Sequence, residues 1–399
     1  MTLAARRLPP LADPRLARLD PVLLGTALAL AAIGLVMVAS TSMNDLSGQA
    51  HPLGRLWRQV GHLLVGTVLG LGVLRLRMAW WERAGVGLLF VALGLLALVF
   101  VPGLGHTVNG STRWLVLGPL RLQASEPARL FLLVYLAGYL VRRAEEVQSQ
   151  FRGFLKPLAV LSLAALLLLA EPDFGATVVL VATAFAMLWL AGVPWWQFLL
   201  ILAGAAAALG VLAVASPYRL HRLTAFIDPW ADPYGAGFQL TQSLIAIGRG
   251  AWFGAGLGES IQKLYYLPEA HTDFVFAILA EETGLVGVTV VIGLFALLVW
   301  RAFRVAAAAR AADQPFSAWL AGGLGTWLGL QAVINLGVNM GLLPTKGLAL
   351  PFVSYGGSAL VLDCVLVALL ARIDLESRES IHAVTARRRP LATGGRGRP

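Results

Sequence analysis

PVLLGTALALAAIGLVMVASTS, residues 21–42, carries no charged side chain from one end to the other and too few polar ones to build a polar face. Roughly 20 apolar residues wound as an α-helix cross the hydrocarbon core of a bilayer. A helix that is apolar all round has no stable place on the surface of a soluble domain. The run therefore reads as a first membrane span, and it is too long for the apolar core of a cleavable signal peptide. Further runs of this kind fall near 59–75, 83–101, 126–141, 158–172, 174–192, 195–215, 274–300, 316–341 and 355–372. The expectation is an all-α integral membrane protein of about ten transmembrane helices. Only EPDFG (171–175) parts the fifth run from the sixth, so these two read as separate spans or as one re-entrant hairpin.

The whole chain agrees with that reading. Of 399 residues, 58% are hydrophobic and 13% charged, about half the charge of a soluble domain. The single cysteine, Cys364, sits inside an apolar run, which excludes a disulfide framework and a cysteine metal site within the chain. The net charge of +10 does not point to nucleic acid, because the basic residues punctuate apolar spans and form no continuous basic face.

The distribution of Lys and Arg orients the spans. Loops 142–156 and 301–310 carry much of the bias, which places both termini in the cytoplasm. The domain reading is an N-terminal cytoplasmic tail (1–20), a polytopic membrane domain (21–373), and a basic, disordered cytoplasmic tail (374–399) ending near anionic lipid. Two long connections, 102–125 and 216–273, then lie outside, the larger between the seventh and eighth spans. Both are rich in Trp, Tyr, Pro and Gly, a composition suited to the membrane surface, and connections of this length usually carry function. No internal repeat is evident.

The densest chemistry lies just before the eighth span, in LPEAHTDF (267–274). A carboxylate partly desolvated at the interface has a raised pKa and becomes a competent general base toward an alcohol, which nominates Asp273. Glu269, His271 and Thr272 are the supporting candidates. The plain alternative is a helix cap built by Thr272 or Asp273. Glu281 falls on the same side as Asp273 and about 12 Å deeper, with Arg129 and Lys346 as candidate partners, while Glu282 points away. Glu126 and Arg129 are spaced to pair on one helical face or to line a groove. The outer basic residues Arg113, Arg121, Arg219, Arg222, Arg249, Lys263 and Lys346 oppose the charge bias, for which an anionic ligand or lipid phosphates would give a reason. The glycine clusters at 248–250, 254–258 and 356–357 read as close backbone packing or a hinge, because they lack the arrangement of a nucleotide-binding loop.

GLGESIQKLYYLPEAHTDFVFAILAEETGLVG (256–287) and GLLPTKGLALPFVSYGGSALV (341–361) resemble the SEDS proteins of bacterial shape, elongation, division and sporulation. Asp20-Pro21, Asn109-Gly110, Arg113-Trp114, the 171–175 run, Asp228-Pro229-Trp230 and Gly237-Phe238-Gln239 extend the similarity over nearly all the spans. The stretch before LPEAHTDF and the Pro344 to Gly347 run are closer to the division branch than to the elongation branch. Two departures stand out: Ala124 and Arg129 replace a proline and a lysine of the family pattern.

The resemblance implies a peptidoglycan glycosyltransferase that polymerises lipid II at the outer face of the cytoplasmic membrane, during septal wall synthesis. It matches Asp273 to the family's essential outer-loop aspartate and adds Ser354 to the supporting residues. It also implies a class B penicillin-binding protein and other membrane proteins of the division machinery as partners. On this view Asp273 takes a proton from the acceptor's GlcNAc 4-hydroxyl, the oxygen attacks the donor's MurNAc anomeric carbon, and undecaprenyl pyrophosphate leaves with inversion. Arginines, Arg222 foremost, or a divalent cation such as Mg or Mn would stabilise the leaving diphosphate, although no cofactor motif is evident. The competing readings are a lipid II flippase and a non-catalytic division scaffold.

Overall fold

Asp20 closes the start of the first helix: its carboxylate accepts the backbone N–H groups of Val22 at 3.0 Å and Leu23 at 3.3 Å, with Pro21 in the first helical position, where its missing N–H costs nothing. The computed structural model describes residues 19–42, 53–108, 111–117, 120–200, 203, 228–235, 237–264, 266–344 and 347–388. Its helices are α1 (Pro21–Ser42), α2 (Gly54–Arg75), α3 (Met78–Leu98), α4 (Ser125–Arg142), α5 (Ala144–Ser149), α6 (Phe151–Ala170), α7 (Phe174–Leu190), α8 (Phe238–Gly250), α9 (Val275–Ala311), α10 (Pro315–Asn339) and α11 (Gly357–Arg388). Of these, α1, α3, α6 and α9 are long and apolar enough by themselves to cross a membrane. Helices α2, α4, α10 and α11 bring polar residues inward, and α2 packs along α11 while α10 packs along α9. The seventh expected span is entered as a helix at Trp195, and its course beyond Leu200 lies outside the described residues, Ala203 apart.

Several boundaries differ from the sequence reading. The stretch 142–156, expected as a loop, is largely helical, because α6 begins at Phe151. Helices α6 and α7 are distinct elements joined by a short turn, and the 20 residues of α6 span about 30 Å. The last helix runs on to Arg388, so 374–388 is not a disordered tail. Pairs at helical spacing, Arg372 with Glu376 at 2.6 Å and Arg378 with Asp374 at 2.8 Å, support it, and Ser377 docks against Gln314. The connection 102–125 is not a simple loop either. It forms a three-stranded antiparallel meander, β1 (Gly105–Val108), β2 (Ser111–Leu117) and β3 (Leu120–Gln123), with Trp114 opposite both His106 and Gln123. Thr, Trp and Val residues favour strand geometry there, and Leu115 packs beneath the sheet against Val99 and Ala124.

Helix α9 is broken. Gly284 sits at φ 65, ψ −163, in a region open to glycine, and divides the helix into a half-helix (275–283) and a long lower arm (285–311). The chain that leaves α8 fills the break. Ala255 N–H bonds the Glu281 carbonyl at 2.9 Å and Gly256 N–H the Glu282 carbonyl at 3.1 Å, while the Ala251 and Trp252 carbonyls accept Leu285 and Val286 N–H at 2.9 and 3.2 Å. A Cβ on Gly254 would lie 2.1 Å from the Glu282 carbonyl oxygen, so only glycine permits this approach. Irregular backbone at membrane depth is tolerated where protein satisfies it, and here the inserted chain does so.

The two ends of the bundle differ in kind. At one, Asp20 pairs with Arg301 on α9, and Glu376 on α11 bonds Met78 N–H. At the other, the sheet, the 171–173 turn, the segment 266–274 and the segment 347–356 converge.

Candidate active site

The turn before α9 is held from its backbone. Glu269 adopts the left-handed conformation, φ 56, and its carbonyl accepts the N–H groups of Thr272 at 3.1 Å and Phe274 at 3.2 Å. The Thr272 hydroxyl also bonds the Glu269 carboxylate at 2.7 Å. The segment 347–356 grips the turn from the side: Ser354 Oγ donates to the Thr272 carbonyl at 2.6 Å, Tyr355 N–H to the His271 carbonyl at 2.9 Å, and the His271 and Tyr355 rings lie 5.7 Å apart. From α10, Asn335 and Asn339 each donate Nδ2 to the Asp273 carbonyl at 3.0 Å. Asn339 Oδ1 takes the Ala277 N–H at 3.2 Å, and Asn335 also bonds the Leu348 carbonyl. Gln331, further along α10, ties the Ala349 carbonyl at 2.9 Å.

All but the Thr272–Glu269 side-chain bond engage a backbone group, and none of them occupies the Asp273 carboxylate. It is half-buried, lies against Gly347, where a Cβ would come within 3.1 Å of Oδ2, and accepts no hydrogen bond among the described residues. Burial pushes its carboxyl up to about 7, the Glu269 charge adds to this, Arg113 opposes it, and Asp173 adds again.

The 171–173 turn completes the surroundings. Arg113, on β2, donates Nε to the Glu171 carbonyl at 3.4 Å and Nη2 to the Pro172 carbonyl. Asp173 caps α7 through Ala176 N–H at 3.1 Å and accepts Gln123 Nε2 at 3.1 Å and Ser125 Oγ at 3.0 Å. Glu171 is fully buried with no hydrogen bond to either carboxylate oxygen among the described residues. Burial pushes it up to about 8, Asp173 adds, and Arg113 opposes.

The structure thus gathers Asp273, Glu269, His271, Thr272, Ser354 and Arg113. It sets four other sequence candidates apart. Glu126 and Arg129 form a buried ion pair inside the bundle, with Arg129 over the Trp327 ring at 4.7 Å and 3.5 Å from Gln331, so they line no open groove here. Glu281 does not pair with Arg129: its carboxylate takes Arg249 at 2.7 Å, Ser260 Oγ, and the N–H groups of Ile261 and Gln262. Lys263 pairs with Glu282 at 2.8 Å and is buried, so it does not reach out to an anionic ligand. Arg222, Arg219 and Lys346 lie outside the described residues. The sequence reading missed Gln331, Asn335 and Asn339, although three polar residues at intervals of four in an apolar span were a visible signal of one inward stripe.

Fold and site define a polytopic membrane protein in which a broken helix presents a half-exposed carboxylate at one membrane face. The family model for cell cycle proteins of the FtsW, RodA and SpoVE type matches residues 21–379, and the chain belongs to that family. It is 57% identical over 360 residues, 90% of this chain and 93% of the relative, to a protein of Nitrosococcus halophilus named "Probable peptidoglycan glycosyltransferase FtsW". A protein of the same name from Thioalkalivibrio sulfidiphilus is 56% identical over 95% of this chain and 94% of its own length. Among solved structures, a chain from work on the structural coordination of polymerization and crosslinking by a peptidoglycan synthase complex aligns with TM-score 0.75 and 30% identity over 91% of this chain and 98% of its own. The rod shape determining protein RodA of Thermus thermophilus aligns with TM-score 0.65 and 29% identity, covering 90% of this chain and 97% of its own.

Proposed function

We propose that this chain is a peptidoglycan glycosyltransferase of the division type, which joins lipid-linked disaccharide units, lipid II, into glycan strands at the outer face of the bacterial cytoplasmic membrane, with Asp273 as its general base. The observation that carries this reading is the state of that carboxylate. Asparagines and a serine fix its backbone, no donor occupies its oxygens among the described residues, and its pKa lies near neutrality, where a base is both present in its charged form and strong enough to help. The names of the relatives at 56–57% identity supply the reaction class.

Asp273 takes the proton of the acceptor 4-hydroxyl as that oxygen forms a bond to the donor's anomeric carbon. The bond from that carbon to the diphosphate breaks on the opposite face, so the configuration inverts. Arg113 stands where it offsets negative charge beside Asp273 and suits a diphosphate oxygen, and Arg222 is assigned the same task. Glu269 and His271 border the acceptor, and Thr272 and Ser354 hold the turn. A divalent cation, Mg or Mn, would suit the Glu269 carboxylate together with substrate phosphate oxygens, leaving Asp273 as the base, and would neutralise charge on the leaving diphosphate. Among the described residues no set of three or more His, Cys, Asp or Glu stands ready to bind one alone. A class B penicillin-binding protein is the proposed partner, crosslinking the strands at the septum.

The test is incubation of the purified chain with lipid II, alone and with a transpeptidase partner, followed by separation of glycan products. Polymer from the native protein and none from Asp273→Asn supports the reading. No polymer from the native protein, with lipid II movement across vesicles present in the native protein and lost in Asp273→Asn, would make the chain a flippase, and neither activity in the native protein would make it a scaffold.

A further inference from the structure

The half-helix 275–283 hangs between two clamps. At its start Asn335 and Asn339 hold the Asp273 carbonyl from α10. At its end the adjacent carboxylates are seized from three other elements. Glu281 takes Arg249 of α8, Ser260 Oγ and the Ile261 and Gln262 N–H groups, while Lys263 Nζ lies 2.8 Å from Glu282 Oε1 and 2.9 Å from Ser40 Oγ of α1, and Ser40 Oγ gives the same carboxylate oxygen a 2.6 Å bond. The Lys263 and Glu282 side chains are 2% and 0% exposed, so the pair is sealed from any substrate.

We propose that Lys263 is a positioning residue for Asp273: through Glu282 it fixes the depth and pitch of the half-helix, and so the point at which the Asp273 carboxylate meets the acceptor hydroxyl. The proposal rests on the glycosyltransferase reading. Three observations support it. The left-handed break at Gly284 uncouples the half-helix from the lower arm of α9, so the continuous helix does not set its position. The Lys263–Glu282 bridge closes the segment 263–282 into a ring that contains Asp273, which shortens the range of places the turn can occupy. A buried ion pair is, besides, a poor source of stability compared with an apolar pair of equal volume, but it admits one arrangement.

The test uses the full-length protein and lipid II turnover. Wild type is compared with Lys263→Met, Lys263→Arg, Asp273→Asn and the double variant Lys263→Met with Glu282→Leu, which leaves no unpaired buried charge and so guards against simple unfolding. If the wild type makes no polymer, the glycosyltransferase reading fails, and if Asp273→Asn polymerises as fast as wild type, Asp273 is not the base; either result takes this proposal with it. If wild type polymerises and Asp273→Asn is slower, the proposal stands or falls alone. A folded double variant should lose kcat by about 10- to 100-fold, the scale of a misplacement near 1 Å, with KM within about twofold and most of the rate restored in Lys263→Arg. A folded double variant with native kcat, a loss confined to KM, or a folded Lys263→Arg as slow as Lys263→Met would overturn it.

Discussion

Asp273 and Glu281 stand at opposite ends of one half-helix, and the structure treats them in opposite ways. Asp273 is half-buried, with its backbone bonded and its carboxylate unoccupied among the described residues. Glu281 is sealed, with its carboxylate saturated by Arg249, Ser260 and two backbone N–H groups. Neighbouring Glu282 is paired with Lys263. A carboxylate whose lone pairs are all spent on the fold cannot take a proton from a substrate. The difference separates the acid that does chemistry from the acids that hold it in place, a distinction that their nearness in the chain conceals.

The comparison breaks first at Asp273. Asp273→Asn keeps the carbonyl that the two asparagines hold, so the fold should survive while polymerisation falls by at least about 100-fold, as expected for loss of a general base; glycan product from the purified variant measures this. At the other end the effect should fall on stability as well. Glu282→Ala strands the Lys263 ammonium in the interior and should cost about 3–5 kcal/mol, read as a lowered Tm in detergent, beside the loss of kcat that follows from freeing the half-helix.

A third substitution sharpens the contrast by acting between the two. Asn339→Leu removes the bonds to the Asp273 carbonyl and Ala277 N–H, at a cost of about 1–3 kcal/mol for the groups left unpaired. It should also lower kcat, since the turn that carries the base loses one of its two asparagine donors; Tm and turnover together decide.

The mildest test is pH. With the Asp273 carboxyl near 7, turnover should rise as pH climbs through that value and the base becomes charged, and kcat against pH should show that acid limb. The same shift has a stability consequence. The folded protein holds this proton more tightly than the unfolded chain, whose Asp titrates near 4, so the contribution is full below about 4 and is lost as pH rises to about 7. Asp273→Asn should flatten that part of the Tm profile.

Much of this was legible from the chain. Apolar runs announced the long apolar helices α1, α3, α6 and α9, because a helix in lipid must be apolar over its length, and LPEAHTDF nominated the acid because charge at such a boundary is costly without a use. The sheet at 105–123 was missed, since its strands are short and lie in a connection that composition alone marks only as interfacial. The partners of Glu281 and Lys263 were missed for a different reason. Arg249 and Glu281 meet only because the chain after α8 enters the break at Gly284, and no spacing rule within a helix reports such a crossing.

By itself, then, the order of residues determined that the protein lives in a membrane, where its long apolar helices run, and which carboxylate to suspect, because hydropathy and local spacing act along the chain. Only the tertiary structure decided that Glu281 is spent on the fold while Asp273 is left open at the surface. That depends on donors from distant segments, Asn335 and Asn339 for the turn, Lys263, Arg249 and Ser40 for the clamp, and a buried charge settles its state with whatever the fold brings to it.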